Sequence, residues 1–197
     1  MKKLSVYTAL SLTFRTFFIR LFYNYINLFG EGLCFCLFPA LKKDGRTHPE
    51  KHLKFFNTNE YLSGFAMGII LNIENNNKDD DTGKAKDILS SVMGSVGDRL
   101  IYKLILPVIV LTALNKFVIS GFSIDRCTII IVVSEVFLFN LFNFFIRYYG
   151  IVSGYEKGFD SIKIFRSAAY HRILIFMTIF RNILVLFLIT NLILLNI

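Results

Sequence analysis

Apolar residues along this 197-residue chain gather into runs separated by short polar breaks. A helix crossing roughly 30 Å of hydrocarbon takes about 20 apolar residues, and two runs meet that length. Cys127 to Ile146 is one, with Glu135 in its middle; Ile173 to Ile197 is the other, interrupted by Arg181, Asn182 and a few small polar residues. Leu104 to Phe122 predicts a third span despite Pro107, Asn115 and Lys116, and the short turn Ser123 to Arg126 follows it. Two further runs, Leu33 to Leu41 and Tyr61 to Ile73, are too short to cross and predict re-entrant half-spans or core helices. Backbone left unpaired against lipid is not tolerated, so half-spans predict burial in a larger assembly and hence a partner subunit.

The first forty residues follow a different period. Phe14, Phe17, Phe18, Leu21, Phe22, Tyr25, Leu28 and Phe29 recur at the three/four spacing of one helix face, and Thr13, Thr16, Arg20, Asn24, Asn27 and Glu31 form the opposite stripe. The pattern predicts an amphipathic helix that lies in the membrane interface or against another membrane subunit, broken by Gly30 and Gly32. Pro39 should end the short run that follows. Asn75 to Lys86 is polar, mixed in charge and rich in turn-formers, which predicts a solvated loop. Its aspartates lack the spacing and the distal Glu of a calcium loop. The expected fold class is an all-α membrane protein with an N-terminal amphipathic helix, two re-entrant half-spans and about three C-terminal transmembrane helices. Residues 1–45 would hold the amphipathic helix and first apolar hairpin, 46–172 a core with a half-span and two transmembrane helices, and 173–197 the last helix.

Composition agrees. The chain is 54% hydrophobic, with 22 Phe and no Trp, and its mean hydropathy of +0.56 exceeds that of ordinary soluble domains. A net charge of +8 beside so much apolar surface points to basic loops kept on the cytoplasmic side. The Lys and Arg residues do not form one stripe interleaved with aromatics, which argues against nucleic-acid binding. Arg147, Lys157, Lys163, Arg166 and Arg172 crowd one inter-span segment, whereas Ser123 to Arg126 holds Arg126 alone. The longer segment is therefore expected in the cytoplasm, together with the cluster Lys42, Lys43, Arg46, Lys51 and Lys54, and the C-terminus outside. Met1-Lys2-Lys3 and the apolar residues after it resemble a signal peptide, but Arg15 and Arg20 follow with no small-x-small cleavage site, so the segment is expected to be retained. Cys34, Cys36 and Cys127 do not complete a four-ligand set and are expected as buried small hydrophobes.

Four local patterns, taken in order, carry a family resemblance. They are Arg15-Thr16-Phe17-Phe18 with Asn24-Tyr25, Gly30-x-Gly32 and Pro39-Ala40-Leu41; His52 to Asn59 with Tyr61-Leu62-Ser63-Gly64 and Gly68; Val96-Gly97-Asp98 with Pro107; and Arg147-Tyr148-Tyr149-Gly150 with Gly154-Tyr155 and Gly158. In this order the chain resembles the IID component of mannose/fructose/sorbose-type phosphotransferase systems, over about residues 14 to 160.

The resemblance implies a bacterial cytoplasmic-membrane, multi-pass subunit that forms a sugar translocation unit with a IIC subunit. Separate IIA and IIB subunits then pass a phosphoryl group through histidines from phosphoenolpyruvate to a hexose-type sugar. The IID subunit itself is implied to be non-catalytic and to need no cofactor. His48, His52 and His171 fit that, since none has a carboxylate beside it in the sequence to orient an imidazole as a nucleophile. Amide and carboxylate groups suit a sugar path and are costly in a membrane unless paired. Asn57, Thr58 and Asn59, before the Tyr61–Ile73 run, and Asp98, at a second broken helix, are therefore candidate sugar-binding residues. The competing reading has Asn57 and Thr58 capping the helix from near Asn59 and Gly97-Asp98 as a loop. Glu135 is a further, intramembrane candidate. The chain also departs from the family. Glu-Arg-x-Gln after Asn-Tyr is replaced through Ile26, Asn27 and Phe29, Asn-Thr-His-Pro reads Asn57-Thr58-Asn59-Glu60, and family members usually run well past the Gly154-Tyr155 segment. Two readings follow: a working IID subunit, or a degenerate one that docks on a IIC-like partner without transporting.

Overall fold

The computed structural model describes residues 4–43, 49–76 and 81–194. The described residues are mainly helical, and the extended pairings among them are two isolated bridges, Asn24–Leu28 and Leu28–Phe56. Seven α-helices follow in order: α1 Val6–Thr16, α2 Gly30–Lys43, α3 Ser63–Asn75, α4 Asp81–Gly97, α5 Leu106–Ile119, α6 Arg126–Lys157 and α7 Ala168–Leu194. A π-helical segment, Asp98–Ile105, joins α4 to α5, so that Thr82–Ile119 is one continuous helix. That helix, Arg126–Arg166 and Ala168–Leu194 are each long and apolar enough to cross a membrane. The chain is an all-α, multi-pass membrane protein. It divides into two compact units, residues 1–97 with 143–164 and residues 98–142 with 165–197.

In the first unit the amphipathic helix is shorter than its sequence period predicts. Ser5 caps α1 by accepting from the Thr8 amide at 3.2 Å, and the helix stops at Thr16 rather than running to Phe29. A 3₁₀ turn, Ile19–Phe22, and a tight turn follow. In that turn the Asn24 side-chain carbonyl accepts from the amides of Ile26 at 3.0 Å and Asn27 at 2.9 Å. Short amide side chains give the backbone this alternative to continuing a helix, and Leu28 takes a φ of 53°. The face turned into this unit is the threonine one. Thr13 and Thr16 are fully buried, whereas Phe14, Phe18, Leu21 and Tyr25 are exposed. The threonines tolerate burial because each hydroxyl bonds a carbonyl of its own helix, Thr13 to Ala9 at 2.8 Å and Thr16 to Thr13 at 2.6 Å.

Gly30 and Gly32 open a helix instead of breaking one. A Cβ at Gly30 would stand 2.4 Å from the Lys54 carbonyl oxygen, and one at Gly32 2.6 Å from that of Ile19. α2 also continues through Pro39. Proline has no amide to give the carbonyl four residues earlier, here Phe35, and Arg15 Nη1 donates to that oxygen at 3.1 Å while its guanidinium stacks on the Phe35 ring at 4.7 Å. The second unit repeats the arrangement. Pro107 stands in the first turn of α5, and Arg181, midway along α7, donates from Nη1 to the carbonyl of Lys103 four residues before it, at 3.0 Å. A proline inside an apolar helix is tolerated where a neighbour takes over the freed backbone group.

The short run at Tyr61–Ile73 becomes α3, buried along nearly its whole length, and the burial comes from this chain. Gly64 and Gly68 on α3 meet α6 at Gly150 and Gly154. A Cβ at Gly64 would lie 2.3 Å from the Arg147 carbonyl oxygen and one at Gly68 2.3 Å from that of Ile151. Both pairs are small-xxx-small patterns, which bring helix backbones together. For α3 that cover is supplied by α6 of this chain. The solvated loop expected at Asn75 to Lys86 is likewise shortened. Residues 77–80 lie outside the described residues, but α4 begins at Asp81, and Thr82 and Lys86 are buried.

The span expected at Cys127–Ile146 lies within the 32-residue α6, which is about 48 Å long and overruns the hydrocarbon. The basic segment from Arg147 is therefore helix and 3₁₀ helix as far as Arg166. Arg147 is buried, with Nε on Asn143 Oδ1 and Nη1 on the Thr16 carbonyl, both at 2.6 Å. It stacks on the Phe17 ring at 4.7 Å, so it does not count as a loop charge. Cys127 is exposed and Cys34 half-buried, against the expectation for all three thiols; Cys36 is buried, which pushes its thiol up to about 12.

Candidate functional site

The segment 56–60 is held from several sides. The Phe56 amide donates to the Asn27 carbonyl at 3.2 Å, and its carbonyl accepts from Phe29 at 2.9 Å. Asn27, one of the departing positions, also donates from its side chain to the Leu53 carbonyl at 2.9 Å, while Phe29 is buried and Ile26 exposed. On the other side the Asn57 amide donates to Ser90 Oγ of α4 at 3.3 Å. Asn59 is buried, and its side chain lies against the Cα of Gly97, where a Cβ would come within 2.3 Å. No larger residue fits there. Glu60 is tied to Arg20 by an ion pair of 2.7 Å.

The four predicted residues are thus placed as follows. Asn57 presents an exposed side chain. Thr58 is buried, and its hydroxyl has no hydrogen-bond partner among the described residues. Asn59 accepts through Oδ1 from the Tyr61 amide at 3.1 Å, and Asp98 is an exposed residue opening the π-helical segment directly after Gly97. The fold gathers Asn57, Thr58 and Asn59 beside Gly97. The expected cap does not form, since α3 starts from Leu62 with no side-chain bond to its first turn. Nor is Gly97-Asp98 a loop, for it lies inside the continuous helix. Ser90, Gly97 and Arg20 were not readable as neighbours of this segment, because each lies roughly 30 to 40 residues away. The Gly64/Gly68 and Gly150/Gly154 spacings were readable, as paired G-x-x-x-G patterns.

Amides and a free hydroxyl both donate and accept, which is the chemistry that recognises a polyol. No group of metal-ligating side chains occurs among the described residues. His52 does meet a carboxylate, contrary to its sequence surroundings: Nε2 is 3.5 Å from Glu74 Oε1. It is wholly buried. His171 is exposed, with Nδ1 3.1 Å from the Ser167 carbonyl, and His48 lies outside the described residues. In the second unit the Thr112 hydroxyl donates to Glu135 Oε1, and Glu135 Oε2 is buried without a partner among the described residues. Glu135 lines an apolar cavity of about 320 Å³ with Ile109, Leu138, Phe142 and Met177.

Comparison with known proteins follows the same lines. The chain is 29% identical to the mannose-specific EIID component of Escherichia coli over 157 residues, covering 72% of this chain and 52% of that protein. It is 29% identical to the fructose permease IID component of Bacillus subtilis over 174 residues, covering 82% and 61%. It therefore spans little more than half the length of these relatives. A cryo-electron-microscopy structure of the mannose transporter ManYZ with a microcin superposes with a TM-score of 0.68 at 24% identity, covering 98% of this chain and 71% of that one. A second solved membrane protein gives 0.73 at 24% identity, with 97% and 71% covered. Both likenesses concern the fold. The family model for the phosphotransferase-system mannose/fructose/sorbose IID component matches residues 3–197. The chain belongs to that family.

Proposed function

We propose that the chain is a membrane subunit of a phosphoenolpyruvate-dependent sugar phosphotransferase system, forming the translocation unit for a hexose-type sugar with a IIC subunit. Phosphoryl transfer belongs to separate IIA and IIB subunits. The protein resides in a bacterial cytoplasmic membrane, with the basic residues Lys157, Lys163, Arg166 and Arg172 inside. The observation that carries this reading is the family match over residues 3–197, joined to a pinned segment that presents an exposed Asn57 amide beside a Thr58 hydroxyl without a partner among the described residues. Asn57, Thr58, Asn59 and Asp98 are the residues assigned to the sugar path. The docking-only reading is not favoured, because the departing positions Asn27 and Phe29 still hold the backbone of this segment.

The test is phosphoenolpyruvate-dependent sugar uptake by the complete complex. Asn57→Ala and Thr58→Val are expected to lower uptake by about tenfold each, the scale of one lost hydrogen bond. The thermal stability of the complex should stay unchanged. Unaltered uptake with an intact complex would remove these residues from the path, and uptake that does not require the chain at all would remove the transport reading.

A further inference from the structure

A basic cleft lies in the first unit, apart from the segment just described. It has a volume of about 380 Å³ and is bounded by Lys51, Lys54, Thr82, Gly83, Lys86 and Asp87. The charges facing it are unevenly matched. Lys51 is paired with Glu74 at 2.7 Å, and Thr82 Oγ1 donates to the same carboxylate at 3.3 Å. Among the described residues that line the cleft, that leaves Lys54, which is exposed, and Lys86 against the carboxylate of Asp87, with the buried Glu74 carboxylate also acting on Lys86.

Lys86 is the unusual member. Its side chain is 4% exposed, yet the ammonium makes one hydrogen bond among the described residues, to the Lys51 carbonyl at 3.0 Å. An ammonium has three donors, and burying a charge without partners is costly. Among the described residues two of its donors are unfilled, at the wall of a cleft large enough for a small anion. Thr82 and Gly83 stand in the first turn of α4, where amides have no acceptor within the helix and attract negative charge. A Cβ at Gly83 would meet nothing within 4 Å, so the backbone there is open to approach. The continuous helix Thr82–Ile119 is 38 residues long, about 57 Å, nearly twice the hydrocarbon thickness. A helix of that length has room for its polar first turns outside the apolar layer.

We infer that this cleft binds the phosphate group of a phosphate ester, whether a soluble monoester or the diester of a lipid headgroup. The phosphate oxygens accept from the two unfilled Lys86 donors, from Lys54 and from the first-turn amides of α4. A phosphate carries the charge and the number of acceptors that such a donor set lacks. The inference does not rest on the sugar reading, because none of its residues belongs to the 57–60 segment. The same phosphate chemistry has two sources, a soluble ester or the headgroup of an anionic lipid, and the experiment separates them.

The full chain, purified in micelles containing phosphatidylcholine, is heated with increasing glycerol 3-phosphate, and separately with micelles doped with phosphatidylglycerol. Neither probe carries a hexose. A saturable rise in melting temperature with glycerol 3-phosphate assigns the site to soluble esters; a rise with phosphatidylglycerol alone assigns it to headgroups. Either is expected to weaken by about tenfold or more in Lys86→Met, one charge-assisted hydrogen bond. It should weaken less in Lys54→Gln and not at all in Lys84→Gln, an exposed residue of the same helix that does not line the cleft. The ligand-induced shift is the readout, so a change in the basal stability of a variant does not confuse it. No saturable shift with either probe, or equal shifts in the native chain, Lys86→Met and Lys54→Gln, overturns the inference.

Discussion

The two units of this chain hold themselves together by different means. In the first, α3 is buried along nearly its whole length among side chains of its own unit, down to glycines that bring backbones into contact. In the second, the buried apolar side chains are few: Leu100, Ile101, Leu104, Val118 and Leu174. Within the most apolar stretch of Arg126–Arg166, and likewise of α7, 6% of the residues are buried. The first unit resembles a soluble core assembled from helices too short to cross a membrane. The second is a set of long helices whose apolar side chains face outward and whose fold depends on an apolar solvent. Polar contacts follow the same division. The first unit contains the buried Arg147 network, and the second places single polar contacts between helices, Asn115 to the Leu184 carbonyl at 3.1 Å and Thr112 to Glu135.

The sharpest way to break this contrast is to remove the same methyl groups from each unit. Ile70→Ala, in the middle of α3, should cost about 2–5 kcal/mol, whereas Ile130→Ala on the exposed face of α6 should stay within about 0.5 kcal/mol. Thermal melts in detergent measure both, and equal losses would erase the distinction. Next in size is Gly68→Ala, whose new methyl meets the Ile151 carbonyl; overpacking at a backbone contact should cost about 1–3 kcal/mol. Its expected sign is a loss of monodisperse protein on size-exclusion chromatography, and a neutral result would mean that α3 and α6 do not touch there.

The proline-covering arginines give a smaller, paired test. Arg15→Met, in the more enclosed site, should cost about 1 kcal/mol, and the more exposed Arg181→Met less, each read from the melting temperature. Combining Arg15→Met with Pro39→Ala restores an amide for the Phe35 carbonyl and should recover most of the loss. The smallest effect is one of pH. Asp125, at the start of α6, accepts from the Thr128 hydroxyl and amide, which holds its carboxyl down at about 2 from an ordinary 3.8. Its contribution is present above the ordinary value and disappears as the pH falls through about 2. Asp125→Asn should flatten the acid limb of the melting profile there and leave neutral stability nearly unchanged.

Hydropathy made the membrane class and the three long helices legible, because a span is a property of local composition. The resemblance pointed to the family that the comparisons then bore out. What could not be read was which face of each short helix turns inward. The period of Phe14 to Phe29 reads as one helix, whereas the helix ends at Thr16 and a turn at Asn24 follows. Thr13 and Thr16 turn inward, bonding their own helix, and the outward phenylalanines are consistent with an apolar surrounding. The residues around Asn57 were partly legible. The Phe-Phe-Asn-Thr block marked the segment, but its supports at Ser90 and Gly97 come from a helix that only the fold brings near. His52 and Glu74, 22 positions apart, are the same lesson on a smaller scale.

The glycine contact between α3 and α6 also bears on how the protein is made. α3 has thirteen residues and cannot settle across the bilayer by itself, and its cover lies about eighty residues further along the chain, as in the Asn72 side-chain bond to the Tyr155 carbonyl. At typical rates of synthesis that delay lasts roughly 4–16 s. Throughout it the glycine face of α3 lacks its cover from α6. Residues 143–154 therefore act during biogenesis as the clasp that closes the first unit, and a ribosome stalled before Gly150 would leave that unit open.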